Sequence, residues 1–524
     1  MTQQPFTEAP NLRPELFTFS SPIDQRVAYV IVAFLFLLAV YSTGQRKANV
    51  PELNAPKSRL RLFGSVPAEQ TQSFVRHSKE FIKAGRAKFP DEPYRLYTGS
   101  YIGATDAVII PPRLINDIRN EQALSFRDFH AHVQGFEGLI GDENLSQLVN
   151  RHLTKALNKM TKALSDEAKL ALSKKFGEPT SEWLEFKPSS DMLQIVAQVS
   201  TRIFMGEELC RNEDWLNESA LYTRCAFNAV EVLRDWPSIL RPWVAPFLAE
   251  CKEMRARMAR CQEILEPYVT ARRAAKAKAL AEGEKPPVFN DSLEWFEKEY
   301  KHYDAATALI TLSIVAIHTT SDLMSEIMIQ LARHPEMFQP LRKEIVEVLS
   351  RDGLKKTALY NLKLMDSVIK ECQRLKPVTL TTMRRKTVKP LKLSNGLVIP
   401  KGEHVWVDVA HMWSEEHYEN PEEFNPYRFK DLRGTDKEHT AHFVTTSAEH
   451  IGFGHGEHAC PGRFFASNEL KIILCHMLLK YEWKLPEGHD PKYIPFGMAL
   501  VPDPEGKLLF RRRQEEIDLG SLES

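Results

Sequence analysis

The stretch FGHGEHACPG, Phe453 to Gly462, constrains this chain more than any other. It places one cysteine, Cys460, in a turn dense with glycine. Gly452, Gly454 and Gly456 precede the cysteine, and Pro461 and Gly462 follow it. Glycine reaches positive φ at little cost and lets another body come close to the backbone. An apolar helical pattern starts two residues past the cysteine, so helix N–H groups and the positive end of a helix dipole lie near the sulfur. Both favour a thiolate over a thiol. A lone cysteine near a helix start is in general a small buried hydrophobe. The glycine frame argues instead for a thiolate open on one side, against something large and flat.

With 524 residues, one large or two ordinary domains fit the chain, and 43% apolar residues supply a sizeable core. The formal net charge of zero argues against nucleic-acid binding. The seven cysteines (Cys210, Cys225, Cys251, Cys261, Cys372, Cys460 and Cys475) form no CxxC pair, so neither a zinc site nor a disulfide framework is expected. The catalytic part then faces a reducing compartment.

Residues 1–26 are a polar, proline-containing segment. Val27 to Thr43 is an unbroken apolar run, about 25 Å long as a helix. That is close to the ~27 Å hydrocarbon core of the endoplasmic reticulum membrane. The residues before it are acidic rather than basic, unlike a cleaved signal peptide. Arg46, Lys47, Lys57, Arg59 and Arg61 follow it, which places the C-terminal bulk in the cytosol. A single-pass anchor at 27–43 is therefore expected, followed by a linker at 44–65 and a catalytic domain at 66–524. Beyond the linker the pattern is mainly helical with short strands. Ser125 to Gly141 is read as a loop region over the site. The basic, alanine-rich stretch Ala271 to Pro287 is read as a solvated helix end and loop.

Tyr303 to His334 is a long apolar helix whose middle, SIVAIHTTSDL, carries Thr319 and Thr320. A threonine inside a helix ordinarily bonds back to the carbonyl one turn earlier. Beside a reactive centre, the same hydroxyl is able to relay protons. Val368 to Lys376 is a helix with Glu371 and Arg374 three residues apart, hence on one face. SNGLVIPKG, 394–402, reads as a hairpin turning at Asn395-Gly396.

Haem iron suits the Cys460 loop, because an axial thiolate pushes electron density toward the metal. Phe453, Gly456, Cys460 and Gly462 resemble the haem-binding signature of the cytochrome P450 family, Phe-x-x-Gly-x-Arg-x-Cys-x-Gly. His458 stands where that signature has arginine. The 316–320 stretch resembles the family's oxygen-activation motif, with Ala316 in the glycine place, Thr319 and Thr320 matching its threonines, and His318 replacing its acidic residue. Glu371 and Arg374 resemble its Glu-x-x-Arg. FNPYRF, 424–429, is similar to its Pro-x-Arg-Phe, with Arg428 as the third member of a buried network. RIFMGEELCRNEDWL, AIHTTSD and ACPGRFFASNELK look most like fungal secondary-metabolism members of the ent-kaurene oxidase-like group.

The resemblance implies a mainly α fold with small β-sheets, the cytochrome P450 fold, preceded by the N-terminal transmembrane helix. It implies haem b with Cys460 as metal ligand, and Phe453, Gly456 and His458 around it. Arg385, which fits the family pattern better, or Arg384 is expected on one propionate, and Arg151 with His152 on the other. Thr319 is expected to deliver protons, with Thr320 and His318 beside it. Electrons come from NADPH through a reductase flavoprotein, with cytochrome b5 as a further partner, in the endoplasmic reticulum membrane. The substrate is a small apolar terpenoid, steroid or prenylated indole alkaloid. Pocket candidates are Phe126, Phe129, Ile314, Val315, Val378, Thr379, Leu380, Thr382, Phe496 and Met498. Two other classes remain: a haem-thiolate isomerase or dehydratase, which tends to lose the helix threonines, and a non-catalytic haem-binding protein, which needs no anchor or relay helix.

Overall fold

A computed structural model describes residues 29, 47–55, 68–99, 106–130, 143–177, 182–234, 236 and 240–522. Apart from Tyr29, the expected anchor lies outside them, as does the 131–142 part of the loop read over the site. The architecture is mainly helical, with small sheets.

The long helix Ala305–Arg333 runs through the largest core. Asp304 caps it, its carboxylate accepting from the Thr307 amide at 2.8 Å. It is long and apolar enough to cross a membrane, yet most of its apolar span is buried in protein, so it is a core helix. Pro188–Leu209 and Lys363–Leu375 pack against it, as does Arg463–Lys480, the helix that starts just after Cys460. Lys363–Leu375 is buried on nearly its whole circumference.

The largest sheet has the order β1 (Tyr94–Tyr97), β2 (Asp106–Ile110), β8 (His404–Asp408), β5 (Thr381–Thr387), β3 (Leu124–Ser125). Only β2 and β8 are parallel. The strands β4 (Leu184–Phe186), β6 (Leu391–Lys392) and β7 (Val398–Ile399) belong to smaller sheets. So do β9 (Tyr481–Lys484), β10 (Ile494–Phe496), β11 (Ala499–Val501) and β12 (Leu508–Arg512). The Asn395-Gly396 turn joins β6 to β7, with Gly396 at φ 87°. The β5–β8 ladder shifts register between Thr382 and Arg385, where Met383 takes φ 48°. Such a bulge re-aims the side chains on either side of it.

Two segments depart from the sequence reading. Residues 47–55, read as linker, lie along β1: Arg95 donates its amide to Pro51 and Leu53 donates to Arg95. Lys47 pairs with the buried Asp106 at 2.9 Å, and Arg95 bridges Asp106 and Glu403. The Ala249–Ala281 helix runs through most of the basic stretch read as helix end and loop. Arg272 there meets buried Asp291 and Lys276 meets buried Glu294, so that face is ion-paired rather than solvated.

Candidate functional site

The Cys460 loop is moored on both sides. The Cys460 amide donates to the Phe453 carbonyl at 2.8 Å, closing the loop on itself. Phe453 packs its ring against Phe443 at 5.0 Å. Gly456 sits at φ 82°, and a Cβ there would lie 2.5 Å from the Arg119 carbonyl. The close neighbour that this glycine admits is protein backbone. Glu457 completes the mooring, donating its amide to the Asn120 side chain at 2.8 Å. Arg463 holds the far end through the Cys460 carbonyl at 2.8 Å and the Val444 carbonyl at 3.1 Å.

The Cys460 sulfur is solvent-reachable, whereas the other six cysteines are buried. It is nonetheless enclosed, and burial pushes its pKa up, while the Gly462 and Arg463 amides and the Arg463 charge pull it back down. A sulfur both enclosed and reachable lines a concave space. Helix N–H groups aimed at it supply what a metal-bound thiolate needs on its protein side. His458 is exposed two residues before it.

The two arginines of β5 part company at the bulge. Arg385 is buried, donates one N–H to the Arg384 carbonyl at 2.8 Å, and lies 5.0 Å from the Phe126 ring centre. No carboxylate among the described residues pairs with it, and burial alone lowers its pKa to about 10. A buried guanidinium without a counter-charge fits an anionic group such as a haem propionate. Arg384 lies over the Trp406 ring at 5.2 Å. Arg151 and His152 occupy a π-helical turn, Val149–Leu153, and both reach Glu299, at 3.0 and 2.8 Å. The His152 ring also stacks on Trp295.

On the central helix, Val315, His318 and Thr319 form an exposed stripe among buried and half-buried neighbours. Burial lowers the His318 pKa, which disfavours its charged form. Thr319 donates its hydroxyl to the Val315 carbonyl at 3.0 Å, while Thr320 is buried. Sequence reasoning passed over the next turn: Asp322 forms an ion pair with Lys376, which is almost fully buried. The signal was a carboxylate four residues after His318 and a lysine directly before Pro377.

Of the pocket candidates, Phe126, Val315 and Phe496 are exposed, and Ile314, Val378, Thr379 and Thr382 are half-buried. Leu380 and Met498 are instead sealed in a core cluster with Trp406. The Phe129 side chain lies outside the described residues.

Glu371 and Arg374 are both completely buried and meet through two N–H···O bonds of 2.8 Å. Arg428 adds its Nε–H to both Glu371 oxygens at 3.1 and 3.2 Å. Arg374 spends its other nitrogen on the carbonyls of Met412 and Pro421. This triad fastens the 412–428 segment to the helix leading into β5.

Taken together, the site suits a planar, anionic prosthetic group held by a cysteine thiolate. The model of the family "Cytochrome P450" matches residues 143–510. The cytochrome P450 monooxygenase eqxH of Fusarium heterosporum is 44% identical over 506 residues, covering 94% of this chain and 96% of that protein. The cytochrome P450 monooxygenase hepE of Aspergillus oryzae is 40% identical over 500 residues, covering 92% and 89%. Among solved structures, the retinoic acid-bound cyanobacterial CYP120A1 superposes with a TM-score of 0.64 at 16% identity, covering 85% of this chain and 96% of that one, a likeness of fold. This chain belongs to the cytochrome P450 family. It is a monooxygenase whose cofactor is haem with a thiolate ligand, supplied with electrons by a reductase.

Proposed function

We propose that Cys460 is the haem ligand and that the enzyme uses NADPH-derived electrons and O2 to oxidise an apolar secondary metabolite of terpenoid, steroid-like or prenylated indole alkaloid type. The observation that carries this reading is the reachable Cys460 sulfur under the Gly462 and Arg463 amides. When bound, haem supplies the radical oxidation chemistry. The chain supplies placement and protons. Arg385 holds one propionate, and His458 stands in the loop position that assists it. Arg384, Arg151 and His152 are weaker candidates, the last two because Glu299 already pairs with them. Thr319 gives the open stripe a hydroxyl for proton delivery, with His318 and Thr320 beside it. Val315 and Ile314 give the same helix an apolar wall for substrate.

The enzyme sits on the endoplasmic reticulum membrane through residues 27–43, with the catalytic domain in the cytosol and a reductase flavoprotein and cytochrome b5 as partners. Exposed Trp243 and Phe247, 75% and 78% accessible, support a second membrane-facing patch.

The test is a reduced, carbon monoxide-bound difference spectrum on membranes, followed by NADPH turnover with reductase on a terpenoid and indole-alkaloid panel. Wild type is expected to give a thiolate-type band and Cys460→Ser none. A serine variant that keeps the band refutes the ligand assignment. A wild-type thiolate band with product formed in the absence of NADPH points to an isomerase.

A further inference from the structure

The helix face that carries the exposed stripe continues past Thr319. Asp322 lies three residues after Thr319 and four after His318, on the same helix face. It is only 12% exposed. Its Oδ1 accepts from the Lys376 ammonium. Its Oδ2 is buried and has no hydrogen-bond partner among the described residues. Lys376 ends the helix that carries the Glu371–Arg374 pair, and Pro377 to Thr379 lead from it toward β5. A buried carboxylate, half paired and half vacant, thus sits one turn from the relay hydroxyl, held by a cation from a different helix.

We propose that Asp322, held by Lys376, is the internal acid that feeds protons to the Thr319 hydroxyl, taking over from the carboxylate that His318 displaces. The inference rests on the haem-thiolate reading above. Burial pushes the Asp322 pKa up, Lys376 offsets part of that, and Glu326 one turn further adds to it, leaving a value of about 6. Glu326 is itself bonded to Gln330, and Lys376 is the cation that meets the carboxylate. A donor near pH 6 is matched to proton transfer at neutral pH. His318 is a poorer reservoir, because burial disfavours its charged form.

In the step, the O–H bond at Oδ2 breaks. The proton passes to the Thr319 oxygen, directly or through water, as the hydroxyl gives up its own proton toward the site. The remaining carboxylate is stabilised by the Lys376 ammonium. A solvent proton then restores the acid, and Asp322 neither gains nor loses electrons.

The experiment uses full-length, haem-loaded enzyme and first confirms a thiolate-type carbon monoxide band in each variant, so that failure of the haem reading is seen separately. Infrared difference spectra between pH 5 and 8 are expected to show one buried carboxylic-acid C=O band titrating near pH 6, lost in D322N. Reconstituted with reductase and NADPH, D322N is expected to release several-fold more hydrogen peroxide per NADPH, with D322E restoring most of the coupling. The losses in D322N and T319A are expected to be less than additive, as for one relay. K376M is expected to move the titration to higher pH. The inference is overturned if the band persists in D322N. It is equally overturned if D322N keeps its thiolate band with unchanged peroxide release and pH profile, or if its loss adds fully to that of T319A.

Discussion

Glu371→Ala is the sharpest test of how the haem-side half is held together. The carboxylate accepts from Arg374 Nε and Nη2 at 2.8 Å each, from Arg428 Nε at 3.1 Å and from the Asn425 amide at 3.1 Å. At about 1.5–3 kcal/mol per charge-assisted bond, four bonds would sum to about 6–12 kcal/mol. That sum overshoots, because Arg374 keeps the Met412 and Pro421 carbonyls and Arg428, 11% exposed, turns to water. What remains is a sealed Arg374 cation without its counter-charge, a loss of about 3–5 kcal/mol. Against a net stability of about 5–15 kcal/mol, this removes a large fraction of the folded margin. Arg428→Ala leaves the Glu371–Arg374 pair intact and is expected to cost less, about 1–2 kcal/mol. The assay is urea titration of full-length, haem-loaded protein in detergent, followed by the thiolate-type carbon monoxide band and by circular dichroism. The expected order of midpoints is wild type, then Arg428→Ala, then Glu371→Ala well below both. A Glu371→Ala midpoint equal to wild type, or an inverted order of the two variants, would refute the burial argument.

Three further outcomes follow from the same geometry. Arg385→Leu is expected to purify with at least a two-fold lower haem-to-protein ratio and Arg385→Lys with an intermediate one; equal ratios across the series would remove Arg385 from the propionate site. Glu469 is wholly buried, bonded by one oxygen to Ser200 at 2.6 Å, and burial raises its pKa to about 8. Its folded pKa therefore lies above its unfolded value near 4.3. The native state holds a proton that the unfolded state releases, so this group's stabilisation is full below pH ~4 and is lost as pH rises to ~8, at up to ~1.4 kcal/mol per pH unit. Glu469→Gln is expected to flatten that slope and to be more stable than wild type at pH 8; an unchanged slope in urea melts at pH 5, 6.5 and 8 would contradict it. Deleting residues 1–43 is expected to leave a haem-loaded protein with the thiolate band. Its partition between supernatant and membrane pellet then reports on the exposed Trp243 and Phe247 patch, whose further change to Ser is expected to release protein still in the pellet.

What the sequence made legible is what is local. The glycine-framed cysteine, the apolar helix with its threonines and the three-residue spacing of Glu371 and Arg374 each depend on residues within a turn or two of one another. The helix start after Cys460 and the Asn395-Gly396 turn belong with them. The misses are pairings between distant segments. Nothing near Arg272 and Lys276 announces Asp291 and Glu294 as their partners, so a helix face with buried partners read as solvated. Residues 47–55 read as linker because the β1 backbone they pair with lies more than forty positions on. Glu299, the partner of Arg151 and His152, is likewise 148 and 147 residues away. The bulge at Met383, which sets Arg384 and Arg385 in different surroundings, is announced by no residue pattern.

Two of the places where this chain departs from its family's motifs substitute histidine for a permanently charged or acidic group, and their surroundings differ. At 458, a guanidinium beside the cysteine is lost, and the buried cation we propose for the propionate is Arg385, which no carboxylate among the described residues neutralises. At 318, the lost group is a proton carrier, and a helix has a way to move such a group without moving the site. One turn on, at 322, a carboxylate returns to the same face, and a lysine from the neighbouring helix keeps it from being fully neutralised by burial. The charge that fixes a cofactor must stay where the cofactor is. A proton donor needs only to stay within reach of the hydroxyl it serves.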